Sequence, residues 1–368
     1  MDTQQIYTIV NEINSQSMGE KSLAVVDSNS FIALGQQVLS SQDNVENFLN
    51  TLVERIAFTI VSFRAYNSIL SPIVFGSIEW GAIVQKLKVE MPEAVEDEAY
   101  DLEDGGSVDQ YIIRKPKVNQ KFFVKRTPYS FFVTIQRWQL KRAFTSESAF
   151  GAFISAIFGE IQNKLEVTFE NLGYLCMGNF IANVKPTQTI NLVSEYNAAS
   201  GNNVPVGEGA LFNSGFLRYA IGRMNKVAFR LRSMSKLYNA EGYERHTPIT
   251  DQRFITMVDF TESMKTVVQW EAFHRDYVSK AADIVIPHWQ SPDKPFDIHV
   301  TDKNGVETNI KNLVAFIHDR NALGTYRKEQ ETLTTPVNAR GRYTNTFYHE
   351  EQLWFNDLSE NGIIFTLN

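Results

Sequence analysis

The sequence predicts an α+β fold in which long helices and short strands occupy separate stretches of the chain. Two stretches with helical spacing, one before residue 64 and one after residue 145, flank short runs of β-branched and aromatic residues. More strand-like runs follow toward residue 368, with neither a repeat nor a low-complexity tract. At 368 residues the chain allows about two or three domains.

Composition narrows the class of protein. Hydrophobic residues make up 43% and charged residues 21%, which excludes global disorder, collagen and coiled-coil arrays. A net charge of −7 argues against a surface built entirely for nucleic acid. The single cysteine, Cys176, allows neither an internal disulfide nor a thiolate metal site. Since signal-like and 18-residue apolar segments are missing from the sequence, we expect a soluble, intracellularly made protein without membrane contact.

The first element is a polar arm followed by a helix. Residues 1–42 are rich in Gln, Asn and Ser, so we expect them to be ordered mainly by whatever they pack on. Between residues 45 and 63 the apolar positions recur with helical spacing, which predicts an amphipathic helix. Pro72 lies beyond its end.

A long two-stranded excursion comes next. Strand-like runs near residues 83–89 and 123–135 enclose a polar stretch that turns at Gly105-Gly106. Residues 90–109 carry acids without a base, and residues 114–142 carry bases without an acid. Two interpretations stay open: a solvated hairpin whose limbs attract each other, or a docking loop for a neighbouring subunit. The docking residues would be Glu96, Asp97, Glu98, Asp101, Lys117, Lys121, Lys125 and Arg126.

A second long helix begins after Ser146, a good N-cap, and keeps its apolar spacing to Leu172. Residues 186–210 read as a loop, and a helical stretch with many bases covers about residues 211–238. The bases of that helix either lie on an exposed face or form interdomain ion pairs, or else they form a surface for DNA phosphates. The residues that would face DNA are Arg218, Arg223, Lys226 and Arg230.

The remaining elements are short. Asn304-Gly305 between two strand-like runs predicts a hairpin. Leu313–Asp319 reads as a short helix, and runs after Tyr343 read as closing strands.

The chemistry-bearing residues do not form a recognisable active site. His274-Arg275-Asp276 copies the start of the kinase catalytic loop, but the metal-binding Asn expected five positions after Asp276 is replaced by Ala281. His288 and His299 lack the spacing of metal ligands. Gly207-x-Gly209 lacks the third glycine of a dinucleotide fingerprint. We therefore predict no catalytic, cofactor-binding or metal-binding residues.

The order of these parts resembles the major capsid protein of tailed bacteriophages, with the Hong Kong 97 fold. It is similar to those of small podoviruses of Gram-positive hosts, with phi29-type head proteins as more distant relatives. The residues that carry the resemblance are the hairpin block Ile83–Arg142, the helix Thr145–Leu172, Ala315–Thr325 and Trp354–Leu367.

The resemblance implies a division into functional parts. These are an N-terminal arm (1–42), a helix and lead-in to the peripheral domain (43–79), an extended loop over an adjacent subunit (80–130), a peripheral domain with a spine helix (131–185), an axial domain (186–334) and closing strands that return to the peripheral domain (335–368). Subunits would form hexamers and pentamers of an icosahedral head in the virion, assembled in the host bacterial cytoplasm.

The resemblance also implies partners. A scaffolding protein is expected because this sequence lacks the long charged coiled N-terminal region of relatives that do without one. A portal protein and packaged double-stranded DNA, held by non-specific contacts, complete the set. Two alternatives stay open: an encapsulin-type nanocompartment shell of the same fold, and a β-rich enzyme using the histidine-rich C-terminal half.

Overall fold

The helices and strands are taken from a computed structural model, which describes residues 3–18, 23–60, 69–70, 73–77, 84–90, 97, 100–109, 111, 113, 115–124, 126–270 and 283–368. In these ranges the helices are α1 (Thr3–Met18), α2 (Ser28–Leu39), α3 (Gln42–Ile60), α4 (Arg137–Ala143), α5 (Glu147–Ala182), α6 (Leu192–Ser200), α7 (Ser214–Arg230) and α8 (Val258–Trp270). The strands are β1 (Val74–Ser77), β2 (Val84–Val89), β3 (Val118–Phe123), β4 (Arg126–Gln136), β5 (Thr189–Asn191), β6 (Gln252–Met257), β7 (Ile284–Ile286), β8 (Ile298–Thr301), β9 (Glu307–Ile310), β10 (Leu313–Asp319), β11 (Leu323–Thr334), β12 (Tyr343–Asn356) and β13 (Gly362–Thr366).

The chain folds into two compact units, and each unit is built from three separate segments. The first unit contains Met1–Glu79, Arg126–Tyr174 and Thr325–Gln352. The second unit contains Trp80–Lys125, Leu175–Gly324 and Leu353–Asn368. The α+β class predicted from the sequence is confirmed. The domain boundaries taken from the family resemblance stay predictions.

The core of the first unit is aromatic. Phe144 stacks against Phe31, Phe48 and Phe150, with ring centroids 5.2–5.6 Å apart. Gly35 of α2 packs directly on Phe144: a Cβ at Gly35 would lie 2.6 Å from the Phe144 Cβ, so only glycine fits there. The four-stranded sheet of order β1-β11-β12-β4 belongs mainly to this unit.

The N-terminal segment is helical and packs within its own chain. Apolar side chains of α1 and α2 lie in the same core as Phe144, among them Ile6, Val10 and Leu34. Asp27 caps α2, since its side chain accepts a hydrogen bond from the Ser30 backbone at 2.8 Å. The family resemblance also implies that the arm of residues 1–42 lies across neighbouring subunits, and this stays a prediction.

The long helix α5 is confirmed and is longer than expected. Ser146 accepts a hydrogen bond from the Ala149 backbone at its start, as predicted. The helix continues past Leu172 to Ala182, which makes 36 residues and a length of about 54 Å. Gly173 lies within this helix where Leu70 packs against it: an added Cβ would lie 2.4 Å from a Leu70 methyl. The glycine is therefore a close-contact point inside the helix and not its end.

The second unit contains a five-stranded sheet of order β5-β13-β10-β6-β7. Strand β13 lies between β5 and β10. It pairs parallel with β5 and antiparallel with β10. The predicted hairpin at Asn304-Gly305 is confirmed, since β8 pairs with β9 and Gly305 has a φ of +79°.

Two predictions of secondary structure in the second unit were wrong. Leu313–Asp319, predicted as a helix, is β10, and all its residues are buried between β13 and β6. A strand that is buried on both faces reads as one apolar run, which periodicity cannot separate from a buried helix. The stretch 186–210, predicted as a loop, contains helix α6, which ends at Gly201 in the left-handed conformation (φ 71°).

We expect Ile154→Ala to lower the free energy of unfolding by about 2–5 kcal/mol, because Ile154 lies in the core of the first unit and the truncation leaves a cavity. Val167 lies on the same helix and is 43% exposed, so Val167→Ala is the matched control with a change below about 1 kcal/mol. Denaturant unfolding of both variants measures the difference. Equal losses would mean that the wrong face of α5 has been placed inward. The apolar spacing of this helix also predicts that Ile157 points inward, and its side chain lies outside the described residues.

Candidate functional site

The predicted docking loop begins with a two-stranded antiparallel hairpin, β2–β3. Lys86 lies opposite Lys121, and Leu87 lies opposite Gln120. The register divides the hairpin into two faces. The inner face consists of Val84, Lys86, Lys88, Asn119, Lys121 and Phe123, all partly or fully buried. The outer face consists of Gln85, Leu87, Val89, Val118, Gln120 and Phe122, all exposed.

A buried carboxylate holds the two opposed lysines. Asp357 is fully buried, and its Oδ2 and Oδ1 lie 2.6 Å from Lys86 Nζ and 2.9 Å from Lys121 Nζ. Lys86 Nζ is also 2.8 Å from Glu360 Oε1, and Lys121 pairs with Glu241. Like charges directly across a strand pair repel each other, so the bridging anion makes this arrangement favourable. We call these five residues the charge cluster.

The position of Asp357 is fixed by the backbone around it. It follows the last residue of β12, and its N–H donates to the Ala322 carbonyl at 2.6 Å. Burial alone would raise the pKa of its carboxyl, but hydrogen bonds from Lys86 and Ser359, together with the Lys86 charge, outweigh burial. The net effect holds the pKa well below its usual value. Asp357 is therefore a permanent anion beneath the hairpin.

Lys88 is a surplus cation on the inner face. The charge cluster together with Arg245, which lies 3.6 Å from Glu360, balances three bases against three acids. Lys88 Nζ lies 4.3 Å from the ring centroid of Tyr243, and among the described residues it has no hydrogen-bond acceptor. Burial lowers its pKa to about 8, against the charges of Asp357 and Glu360.

Uncharged contacts complete the attachment of the hairpin within the second unit. The rings of Phe123 and Phe355 lie 5.2 Å apart. The amide of Asn119 donates to the Tyr243 hydroxyl and to Glu90, both at 3.1 Å. The inner face is thus bound to its own subunit by an aromatic contact, by the hydrogen bonds of the Asn119 amide and by a set of ion pairs.

The other predicted docking residues lie toward the loop. Asp97, Asp101 and Lys117 are exposed, and Lys117 Nζ is 3.7 Å from Glu90 Oε2 across the two limbs. Glu96, Glu98 and Lys125 lie outside the described residues. Arg126 begins β4, and its side chain is likewise outside the described part. The pair of Lys117 with Glu90 joins the basic and acidic limbs, as the interpretation of a solvated hairpin expects. The pair of Lys121 with Asp357 was not foreseen, because the two residues lie 236 positions apart in the sequence.

The predicted basic helix is α7, which is shorter than expected and begins after Asn213, whose side chain accepts from the Phe216 backbone at 2.9 Å. Arg223 forms two hydrogen bonds with Glu195, at 2.7 and 3.0 Å. These bonds lower the pKa of Glu195 and use the Arg223 charge inside the chain. The other three predicted residues, Arg218, Lys226 and Arg230, are exposed.

The reactive side chains are dispersed. The Cys176 thiol is buried, and burial raises its pKa to about 12. His318 is buried and stacks on Phe316 at 4.8 Å, whereas His299 lies exposed beside Asn309. His274 and Asp276 lie outside the described residues. Within the described ranges there is no group of three or more His, Cys, Asp or Glu that could hold a metal ion.

None of the described helices carries an apolar stretch long enough to span a membrane. The family model for the Phi29-like phage major capsid protein matches residues 6–366. The major capsid protein of Bacillus phage B103 is 24% identical over 364 residues, which cover 98% of this chain and 72% of that protein. The major capsid protein of Bacillus phage PZA is 23% identical, with the same coverage.

Solved structures show the same kind of fold. The capsid structure of the Cyanophage P-SCSP1u has a TM-score of 0.51 at 13% identity and covers 83% of this chain and 89% of that chain. A chain in the structure of the head fiber and inner core protein gp22 of native bacteriophage P68 has a TM-score of 0.54 at 12% identity, covering 83% and 86%. These neighbours are consistent with a Hong Kong 97-like fold.

The lowered pKa of Lys88 predicts how Lys88→Met changes stability with pH. Between the folded pKa of about 8 and the usual 10.5, the unfolded chain binds the proton and the folded chain does not, so the destabilisation caused by burying the Lys88 ammonium group diminishes as pH rises. We therefore expect Lys88→Met to be more stable than the wild type at pH 7. Above pH 8 this advantage should shrink by up to about 1.4 kcal/mol per pH unit.

Denaturant unfolding at pH 7, 8, 9 and 10 measures the gap between the two proteins. Lys303→Met, at the exposed β8–β9 turn, is the control and should give a flat gap. A gap for Lys88→Met that is equally flat would contradict the buried position of this ammonium group.

Proposed function

The chain belongs to the Phi29-like phage major capsid protein family and is a structural protein of a phage head, and from that premise we propose how its shell is built and filled. The observation that carries the function is the family match over residues 6–366. Capsid proteins of this kind assemble with copies of themselves into the shell of the virion. The relatives are major capsid proteins of phages, so neither the nanocompartment shell nor the β-rich enzyme is favoured.

The proposed shell is icosahedral and made of hexamers and pentamers, assembled on a scaffolding protein in the host cytoplasm and joined to a portal protein. In it, residues 1–42 cross neighbouring subunits and residues 80–130 form the extended loop. Residues 131–185 with α5 and the closing strands 335–368 form the peripheral domain, reached through residues 43–79. Residues 186–334 form the axial domain. The family membership supports this arrangement.

The proposed role of the charged loop is to dock on a neighbouring subunit. The exposure of Asp97 and Asp101 supports it, since acidic side chains at the surface of the loop can meet bases of another chain. Lys121 contributes from within its own subunit by holding the root of the loop through Asp357. The loop therefore combines a fixed root with an acidic outer part.

The proposed role of α7 is to contact packaged double-stranded DNA without reading its sequence. Arg218, Lys226 and Arg230 are exposed on this helix, as dispersed phosphate contacts require. Arg223 orients the helix through Glu195 instead of contributing a free charge.

Coexpressed with its scaffolding protein, the chain is expected to form closed particles. The double variant Asp97→Lys and Asp101→Lys should stay folded by circular dichroism but close fewer particles, because two attractive charges become repulsive. Its defect should be greatest at low salt, since screening weakens the new repulsion at high ionic strength. Particle counts by electron microscopy across a salt series measure this.

The matched control is Asp293→Lys and Asp251→Lys, which reverses two charges of the axial region outside the loop. Normal yields for the loop variant at every salt concentration would rule out the docking role. A wild-type chain that stays dispersed with its scaffold would contradict the proposed assembly itself.

The DNA-facing role of α7 is tested with the double variant Lys226→Gln and Arg230→Gln. The salt dependence of duplex binding should become less steep by about 2 in log–log slope, because each lost phosphate contact removes about 0.9. Lys294→Gln with Lys303→Gln removes two exposed charges elsewhere and serves as the control. A slope that stays unchanged in the α7 variant would show that this helix does not face DNA.

A further inference from the structure

Two buried donors beneath the β2–β3 hairpin lack a hydrogen-bond acceptor in the part of the chain that the structure describes. Lys88 is only 6% exposed, and its Nζ has no acceptor there. The Nε of Arg245 is buried without an acceptor too, although another nitrogen of its guanidinium lies 3.6 Å from Glu360. Burying a donor without a partner costs free energy, and burying a cation costs more, so two such groups call for an explanation.

The two donors belong to one place in the second unit. Lys88 Nζ lies 4.3 Å from the centroid of the Tyr243 ring, and Arg245 follows Tyr243 by two residues. The Arg245 charge helps to lower the pKa of Lys88, so the two cations are close enough to repel each other. The Tyr243 hydroxyl accepts a hydrogen bond from Asn119, which leaves its own proton to be donated elsewhere. Three donor groups therefore meet around this ring.

The local charges require one further negative charge. The charge cluster and Arg245 balance three acids against three bases, so the ammonium group of Lys88 stays uncompensated. A water molecule could accept a hydrogen bond from this group but would leave the charge in place. One monovalent anion supplies both the acceptor and the charge. An anion of higher charge would be repelled by Asp357 and Glu360, whose charges already act on Lys88.

The donors suit an anion with several oxygen atoms. An ammonium group, a single guanidinium N–H and a hydroxyl group come from two separate segments of the chain, so separate oxygens can accept from each of them. Because Lys88 Nζ and Arg245 Nε are buried, the anion must be small and not part of a polymer.

The anion can reach this place from solvent. Lys86 and Lys121, the next pair of the hairpin, have side chains that are 24% and 30% exposed. Without the anion, the Lys88 ammonium group packs on the Tyr243 ring, which is a weaker substitute for an ionic contact. The flexible stem of the lysine lets this group turn from the ring toward an entering ion.

We propose that Lys88, Arg245 and Tyr243 form a binding site for one small monovalent oxyanion, of the type of dihydrogen phosphate, beneath the β2–β3 hairpin. The bound ion joins β2 to the segment 243–245 and so completes the attachment of the hairpin to its own subunit. This site goes beyond the role of the chain in a shell, and it exists in the unassembled chain.

Thermal melting of the unassembled chain with inorganic phosphate at pH 7 tests the site. The melting temperature of the wild type should rise and then saturate, because a ligand that binds only the folded state stabilises it by mass action. The general effect of phosphate as an excluded salt does not saturate, and Lys88→Met should show this effect alone. Lys303→Met removes an exposed lysine and should behave like the wild type. A response of Lys88→Met that matches the wild type would overturn the proposal.

Equilibrium dialysis with radioactive phosphate counts the bound ions directly. The wild type should bind about one ion per chain, and Lys88→Met should bind none at this place. Arg245→Lys keeps a positive charge near Glu360 but loses the Nε donor, so its affinity should fall about tenfold for the loss of one hydrogen bond to an ion. Binding that persists in Lys88→Met means an adventitious ion only. No saturable binding to the wild type leaves the donors to water, and either result overturns the proposal.

A short DNA duplex distinguishes free phosphate from the phosphates of nucleic acid. Since both orphan donors are buried, the duplex should not displace radioactive phosphate from the wild type. The variant Lys226→Gln with Arg230→Gln, which tests the DNA-facing role of α7, should bind phosphate with unchanged affinity. Displacement of the bound phosphate by the duplex would assign the contact to nucleic acid and overturn the proposal, whatever the outcome for α7.

Discussion

The hairpin depends on one buried anion, the carboxylate of Asp357. Two lysines lie opposite each other on β2 and β3, and without an anion between them their repulsion would oppose the pairing of the strands. Asp357 is held by the turn after β12 and by Ala322, so its position is set by the subunit body and not by the hairpin. The orientation of the hairpin, and hence which face it exposes, follows from this fixed charge.

These ion pairs determine the orientation of the hairpin more than they lower the free energy of the folded state. Moving charges out of water costs about as much as their attraction returns, so a cluster of this kind contributes geometry more than free energy. An apolar inner face would have bound the hairpin through a non-directional force, with little control over register. Directed pairs at 2.6–2.9 Å to Asp357 and Glu360 specify which residues meet. The apolar side chains are then left on the outer face.

The local helices and hairpins could be predicted from the sequence, but the residues that they pack against could not. Helical spacing identified α3 and most of α5, and Asn304-Gly305 identified the β8–β9 hairpin, because these signals lie within a few residues of one another. The alternation of Lys86, Leu87, Lys88 and Val89 was also visible, yet alternation alone does not say which face is buried. That choice is made by Asp357, far away in sequence, and β10 was misread because a strand buried on both faces loses its alternation.

The order of strands in the five-stranded sheet also bears on when the subunit can fold. β13 lies between β5 and β10 and follows every other strand of that sheet in the chain, and the carboxylate that anchors the hairpin precedes it by only a few residues. During translation the sheet therefore stays divided until β13 has left the ribosome, although β5 is made almost half a chain earlier. The hairpin likewise lacks its anchor over this period. A growing chain therefore lacks both the closed sheet and the fixed hairpin until its last strand has been made.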